Sequence, residues 1–238
     1  MRRVESAAAR RSAGIVTLSR AAIEVLRERY GDGTASKCRV ITTCVDLNRF
    51  ALSPLPPPAS IRLLLAGTLN NLYDVRSMIR FFERLRARRP AELTVLTPAA
   101  TTWRDVFAAV EATVTSTALA EMPARIAQHH VGLCMRRLDI GISGRAVTPI
   151  KLGEQLACGR PVVVTPGLGD MDEFVQQNDC GVIVDDTSDR GLAAAIDRLE
   201  TLLDDPGTPA RCRIVAEKHF NLDRAVDELV AAYQDAVR

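Results

Sequence analysis

Hydrophobic positions along this chain fall into two alternating periods. After the proline-rich stretch Ser53-Pro54-Leu55-Pro56-Pro57-Pro58 comes a continuous apolar run from Ile61 to Ala66. Val75, Met78, Ile79, Phe82 and Leu85 then recur at helical spacing on one face. Further short apolar runs predict strands at 93–96, 110–115, 131–135, 161–164 and 182–184. Helical patterns separate most of them. The clearest is Leu192, Ala195, Ile196, Leu199, Leu202 and Leu203 behind Ser188, whose hydroxyl suits a helix cap. Uninterrupted apolar strands alternating with helices mean a parallel sheet covered on both faces. Residues 59–220 therefore predict one doubly wound α/β domain with a Rossmann-like parallel sheet.

The first fifty residues offer a helix, an apolar strand (Gly14-Ile15-Val16-Thr17-Leu18), a Ser19-capped helix carrying Ile23 and Leu26, and a short strand near Val40-Ile41. That is too little chain to bury a core of its own, and a lone apolar strand leaves its edges unpaired. The expected division is therefore 1–50 as the end of a domain whose beginning is absent, 51–58 as a linker, 59–220 as the α/β domain, and 221–238 as a final helix. Leu222, Val226, Leu229, Val230 and Tyr233 give that helix an apolar face suited to packing back toward the N-terminal segment.

Composition narrows the setting. With 47% hydrophobic and 25% charged residues in 238, the chain is of the ordinary globular kind. A net charge of +2 sets up no field that would recruit nucleic acid. Arg84, Arg86, Arg88 and Arg89 cluster at a helix end, where cations complement the dipole. The competing reading of that run is an anionic membrane surface, which would make the protein peripheral at the inner membrane face. Six cysteines (38, 44, 134, 158, 180 and 212) stand far apart with no C-x-x-C pair, and Cys134, Cys158 and Cys180 fall in or beside predicted buried elements, which fits free thiols in a reducing cytoplasm, with no metal or redox role. The N-terminal MRRVESAAARRS has no apolar stretch of secretory type, and no run approaches the ~20 apolar residues of a membrane helix.

In an open parallel sheet, ligands bind beyond the carboxyl ends of the strands at the switch in strand order. The richest such stretch runs from Thr148-Pro149-Ile150-Lys151 through Glu154 to Cys158-Gly159-Arg160-Pro161. Thr148 is expected to cap a helix, with Pro149 in its first position. Free N–H groups at the helix start and the Lys151 ammonium would face an anion. Glu154 lies one turn on, about 4.5 Å further along the axis, and its carboxylate could accept both hydroxyls of a ribose. The plain alternative is a capped helix with an i,i+3 ion pair.

These residues resemble the donor-binding signature of family 4 retaining GT-B glycosyltransferases. The closest likeness is to the subgroup with a Pro-x-Lys-x-x-Glu helix followed by Ala-Cys-Gly-x-Pro-Val. The likeness extends over nearly the whole chain. Val16-Thr17-Leu18-Ser19 to Tyr30-Gly31, Val45-Asp46 and Arg49-Phe50 are similar to the close of the family's first domain. Ala66-Gly67-Thr68-Leu69 with Tyr73 is similar to the first strand and loop of the second domain. Gly132-Leu133 to Arg136, Pro166-Gly167-Leu168-Gly169-Asp170 and Gly181-Val182-Ile183-Val184 follow in order. The resemblance implies that Lys151 binds the diphosphate, Glu154 the ribose, and Gly67-Thr68 the underside of the pyrophosphate. Arg136 would supply a second cation, and Gly169-Asp170 would approach the sugar. Asp170 and Arg136 read equally well as a surface ion pair, and Glu173 as support for its own helix start. The ligand would be a UDP- or GDP-sugar, bound without cofactor or metal, and its hexosyl group would pass to a glycan or lipid-linked acceptor. An incomplete first domain implies a fragment, or a split enzyme with a separate acceptor-domain subunit. The sequence departs from the family at three points. Residues 69–75 hold neither Arg nor Lys, Ala146 stands where the first glutamate of the E-x7-E pair would fall, and Thr43-Cys44 replaces Asn-Gly.

Gly167-Leu168-Gly169-Asp170-Met171-Asp172 also suggests a dinucleotide fingerprint. Asp172 in place of the third glycine would repel a pyrophosphate, so an oxidoreductase is the lesser reading. His129, His130 and His219 read as structural or exposed rather than catalytic.

Overall fold

The computed structural model describes residues 2–237. Its first part is a helix, α1 (Arg2–Arg11), followed by a small parallel unit: β1 (Ile15–Thr17), α2 (Arg20–Tyr30), α3 (Asp32–Ala35) and β2 (Cys38–Val40). Ser19 caps α2 as its sequence predicts, its hydroxyl accepting the Ala22 N–H at 3.1 Å. Beyond the linker, strands and helices alternate: β3 (Ile61–Ala66), α4 (Val75–Arg88), β4 (Ala91–Leu96), α5 (Ala100–Ala108), β5 (Thr113–Thr115), α6 (Met122–Ala127), β6 (Val131–Cys134), α7 (Ile142–Arg145), α8 (Ile150–Ala157), β7 (Val162–Val164), α9 (Met171–Asn178) and β8 (Gly181–Ile183). Three helices close the chain: α10 (Asp189–Asp204), α11 (Thr208–His219) and α12 (Leu222–Ala236).

β3 to β8 form one six-stranded sheet in the order β5-β4-β3-β6-β7-β8, every pair parallel. The chain leaves β3 toward one edge and β6 toward the other, so the switch lies between these two central strands. Leu63, Leu65, Leu133, Val162, Val163 and Val164 are wholly buried. Burying such side chains stabilises by roughly 1.5–3 kcal/mol each, and runs of them can sit only in a sheet covered on both faces. α4 seals one face with Met78, Phe81, Phe82 and Leu85, all fully or nearly fully buried. The expected strand over 110–115 is shorter than its apolar run. Val110 instead closes the turn after α5, its N–H donating to the Phe107 carbonyl, and Glu111 reverses the chain at φ 56°.

Two arginines, buried Arg160 and half-buried Arg213, tie residues 47–54 to this sheet. Arg160 donates to the carbonyls of Ser53, Pro54, Ala127 and Cys158 and to the Ser53 hydroxyl at 2.8–3.1 Å. Arg213 reaches the carbonyls of Leu47, Phe50 and Ala157. The basic run on α4 is not an open cationic surface. Arg84 pairs with Asp189, Arg86 with Glu111, and Arg88 with Asp197 and Glu200. Among the described residues no helix is long and apolar enough to cross a membrane.

The final helix meets the N-terminal unit at few points. A backbone bridge joins Val45 to Asn221, and Arg39 pairs with Asp235. A groove of about 500 Å³ separates β1 and β2 from Leu229 and Tyr233. The face carrying Val226, Leu229, Val230 and Tyr233 is therefore left 38–68% exposed, as are Val16 and Leu18 at 46% and 37%.

Candidate functional site

The switch between β3 and β6 positions the site. β3 ends at Ala66, and Gly67 turns the chain away at φ 119°, its N–H still donating to the Leu96 carbonyl at 2.8 Å. From the facing side, α8 starts at Ile150, and Lys151 in its first turn extends over this bend. A Cβ on Gly67 would stand 2.5 Å from the Lys151 Nζ, so the ammonium occupies the space that glycine leaves. Lys151 also donates a hydrogen bond to the Tyr73 hydroxyl, and its Nζ lies 4.5 Å from the centre of that ring.

β6 brings the second cation. Arg136 follows the strand and bridges to Tyr73 through the backbone. Its N–H donates to the Thr165 hydroxyl at 2.7 Å, and that hydroxyl donates back to the Arg136 carbonyl at 2.8 Å. The guanidinium then lies 5.0 Å from the Tyr73 centroid, with its buried Nε unpartnered. Lys151 and Arg136 thus converge on one ring at the mouth of the switch. Thr68 is exposed on the loop beside them.

Glu154 sits one turn along α8, half-buried. Its carboxylate makes no hydrogen bond among the described residues. Burial pushes its pKa up, while Arg49 and Lys151 pull it down. For a carboxylate already partly desolvated, with two cations near it, accepting a hydroxyl donor costs less further desolvation than at the surface.

The remaining expected site residues lie on a different seam. Thr148 does not cap α8: Pro149 holds the cap position, and the Thr148 hydroxyl donates instead to the Leu18 carbonyl at 3.0 Å. The α8 amides are thereby left without a side-chain cap. Asp170 is also engaged, accepting the backbone N–H groups of Arg20 at 2.8 Å and Ala21 at 3.2 Å. It satisfies donors at the start of α2 from outside that helix. Glu173 pairs with Arg20 at 2.6 Å instead of serving only its own helix. Gly169, at φ 55°, fits beside the Val147 carbonyl, and its N–H donates to Gly144. Gly67, Arg136, Lys151 and Glu154 therefore belong to the switch. Thr148, Gly169 and Asp170 belong to the joint with residues 18–21.

The glycine turn before α9 already holds an anion of its own, since Asp172 accepts the Gly167 N–H at 2.9 Å. That carboxylate would repel the pyrophosphate of a dinucleotide. None of the histidines faces the switch residues. His129 and His130 are buried at the entry to β6, and His219 stacks on Phe174 with ring centroids 4.0 Å apart. Sequence reasoning missed three contributors: the ring of Tyr73 as the surface on which both cations rest, Thr165 as the residue orienting Arg136, and Arg49 as a charge near Glu154. The signals for Tyr73 were its likeness to the loop after the first strand of the family's second domain and its place on a loop that lacks Arg and Lys.

The structure is thus a doubly wound parallel α/β sheet with two cations and an uncapped helix start at its switch. The chain belongs to the glycosyl transferases group 1 family, whose model matches residues 60–201. The sheet matches the C-terminal half of GT-B glycosyltransferases among solved structures. A glycosyltransferase from Rickettsia africae superposes with a TM-score of 0.73 at 14% identity, over 100% of this chain and 67% of that one. Anabaena HepE solved with UDP gives 0.77 at 15%, over 98% and 67%. Sucrose-phosphate synthase from Thermosynechococcus elongatus gives 0.72 at 19%, over 98% and 60%. The chain thus spans 60–67% of the length of these structures. No curated protein matches the sequence.

Proposed function

We propose that this chain is the donor-binding half of a retaining glycosyltransferase of the subgroup with a Pro-x-Lys-x-x-Glu helix. It binds a UDP- or GDP-linked hexose for transfer to a glycan or lipid-linked acceptor in the cytoplasm. The convergence of Lys151 and Arg136 over the Gly67 bend carries this reading, because it gathers two cations and free helix amides where a diphosphate would lie. Glu154 is one turn further on, where a ribose would follow. HepE solved with UDP and glucose, and a pneumococcal O-GlcNAc transferase solved with UDP and GlcNAc, share the fold and suggest the ligand class. Calorimetry against a panel of UDP- and GDP-sugars tests the reading. Lys151→Ala and Glu154→Ala are each expected to weaken binding by ~1.5–3 kcal/mol, and EDTA is expected to change nothing. A folded wild type that gives no heat with any of them would remove the donor site, and EDTA-sensitive binding would replace the two cations with a metal.

An acceptor domain, in cis or as a separate subunit, is part of the same proposal. The uncovered faces of α12 and β1 and the open edges of the β1–β2 pair support it, since apolar patches of this kind mark partner surfaces. Water at the anomeric carbon of an open half-cleft would leave the chain inactive alone. Transfer is expected to be negligible until such a domain is supplied. Ordinary turnover by the 238-residue chain would refute this. A non-catalytic nucleotide-sugar-binding subunit is the second reading, favoured by Ala146 where the family's glutamate would stand.

A further inference from the structure

We infer that Tyr73 is itself a binding residue for the donor's diphosphate, an inference that rests on the donor reading above. Tyr73 is 6% exposed and lies under both cations, with the Lys151 Nζ at 4.5 Å and the Arg136 Cζ at 5.0 Å from its ring centre. A ring face attracts each cation. Lys151 carries no acceptor, so in their hydrogen bond the phenol oxygen accepts. The phenol's own hydrogen is then left to donate, and no described residue accepts it. Beside it the Nε of Arg136 is a second buried donor without a partner. Unsatisfied donors at a buried site mark a place for an acceptor. Here the phenol hydrogen and the Arg136 Nε lie together, beside the Lys151 ammonium. Residues 69–75 contain no Arg or Lys, so this loop has no cation of its own to offer. The oxygens of a diphosphate are negative acceptors closely spaced enough to meet all three.

The test is calorimetry with UDP on the wild type, Tyr73→Phe, Lys151→Ala and the double variant, with thermal unfolding measured in parallel. Tyr73→Phe keeps the ring under both cations, so its melting midpoint is expected to stay put while UDP affinity falls about tenfold or more. The two single losses should not add, because the phenol and the ammonium form one contact. A second measurement does not depend on how the Phe variant folds. The chain has three tyrosines, so ¹³Cζ-tyrosine labelling gives three signals, and Tyr30→Phe and Tyr233→Phe identify the Tyr73 resonance by elimination. UDP is expected to shift that resonance. If the wild type and Tyr73→Phe bind UDP equally, or the Tyr73 signal stays still while UDP binds, the role of Tyr73 is overturned and the donor reading stands. If the wild type binds no nucleoside diphosphate, both fall.

Discussion

Lys151 and Gly67 share one small volume, and that sharing explains why a glycine ends β3. The backbone there is at φ 119°, a region side chains rarely adopt, and the place of a Cβ is held by the lysine ammonium. Gly67→Ala is therefore expected to act twice. Backbone strain should cost of order 1–3 kcal/mol of stability, and the displaced Nζ should weaken nucleoside diphosphate binding by about tenfold or more. Urea unfolding reads the first effect and calorimetry the second. Unchanged affinity would show that the ammonium does not need this seat. Asp170 shows how a residue can be chemically suited to a ligand and still be used elsewhere. Its carboxylate is bound to two amides of α2 and is only 10% exposed, so a sugar hydroxyl would have to displace an intramolecular bond.

At the scale of elements, the site depends on how α8 is held. Gly153 lets the helix lie directly on Phe220 at the end of α11; a Cβ there would meet the ring, 2.8 Å from its Cγ. On an exposed helix, Gly to Ala stabilises by up to about 1 kcal/mol. Here overpacking should win, for a net loss of roughly 1–2 kcal/mol and a tilt of α8 that moves Lys151. Urea denaturation of Gly153→Ala checks the sign, and a more stable variant would mean the contact yields easily. The alternation of α4, α8, α10 and the central strands was legible in sequence because each element is amphipathic or apolar over its own length. The Lys151–Glu154 spacing was legible for the same reason. The partners of Thr148 and Asp170 were not, since Leu18 and Arg20 lie 130 and 150 residues away and such hydrogen bonds leave no local pattern. Tyr73 was visible as a letter in a loop. Its role came only from β6 delivering Arg136 to its ring.

Across the whole molecule, His130 and His219 add acid-sensitive contacts between separate segments, while His129 bonds within its own turn. The His130 Nδ1 accepts the Arg62 N–H at 3.0 Å, so the proton sits on Nε2, which donates to the Pro56 carbonyl at 3.1 Å. This neutral tautomer links the linker to the entry of β3. His129 is held in the same layer against the Arg125 carbonyl, and His219 stacks between α9 and α11. All three pKa values are pushed down, mainly by burial, with nearby arginines adding to the effect. A base whose folded pKa is depressed binds fewer protons when folded than when unfolded. Stability then rises with pH through this window. It is fully present above the ordinary histidine value of about 6.5 and is lost as pH falls through the lower folded values. Glu154, raised by burial, has the opposite sign, and the paired aspartates Asp139, Asp189 and Asp205 lose their contribution only in stronger acid. Urea unfolding at intervals from about pH 7.5 down to 5.5 isolates the histidines from those aspartates. The unfolding free energy should decline across that range. His130→Gln, whose amide offers one acceptor and one donor, should reduce the slope. Stability that is flat or increases on acidification would mean that the histidines are not held neutral by the fold.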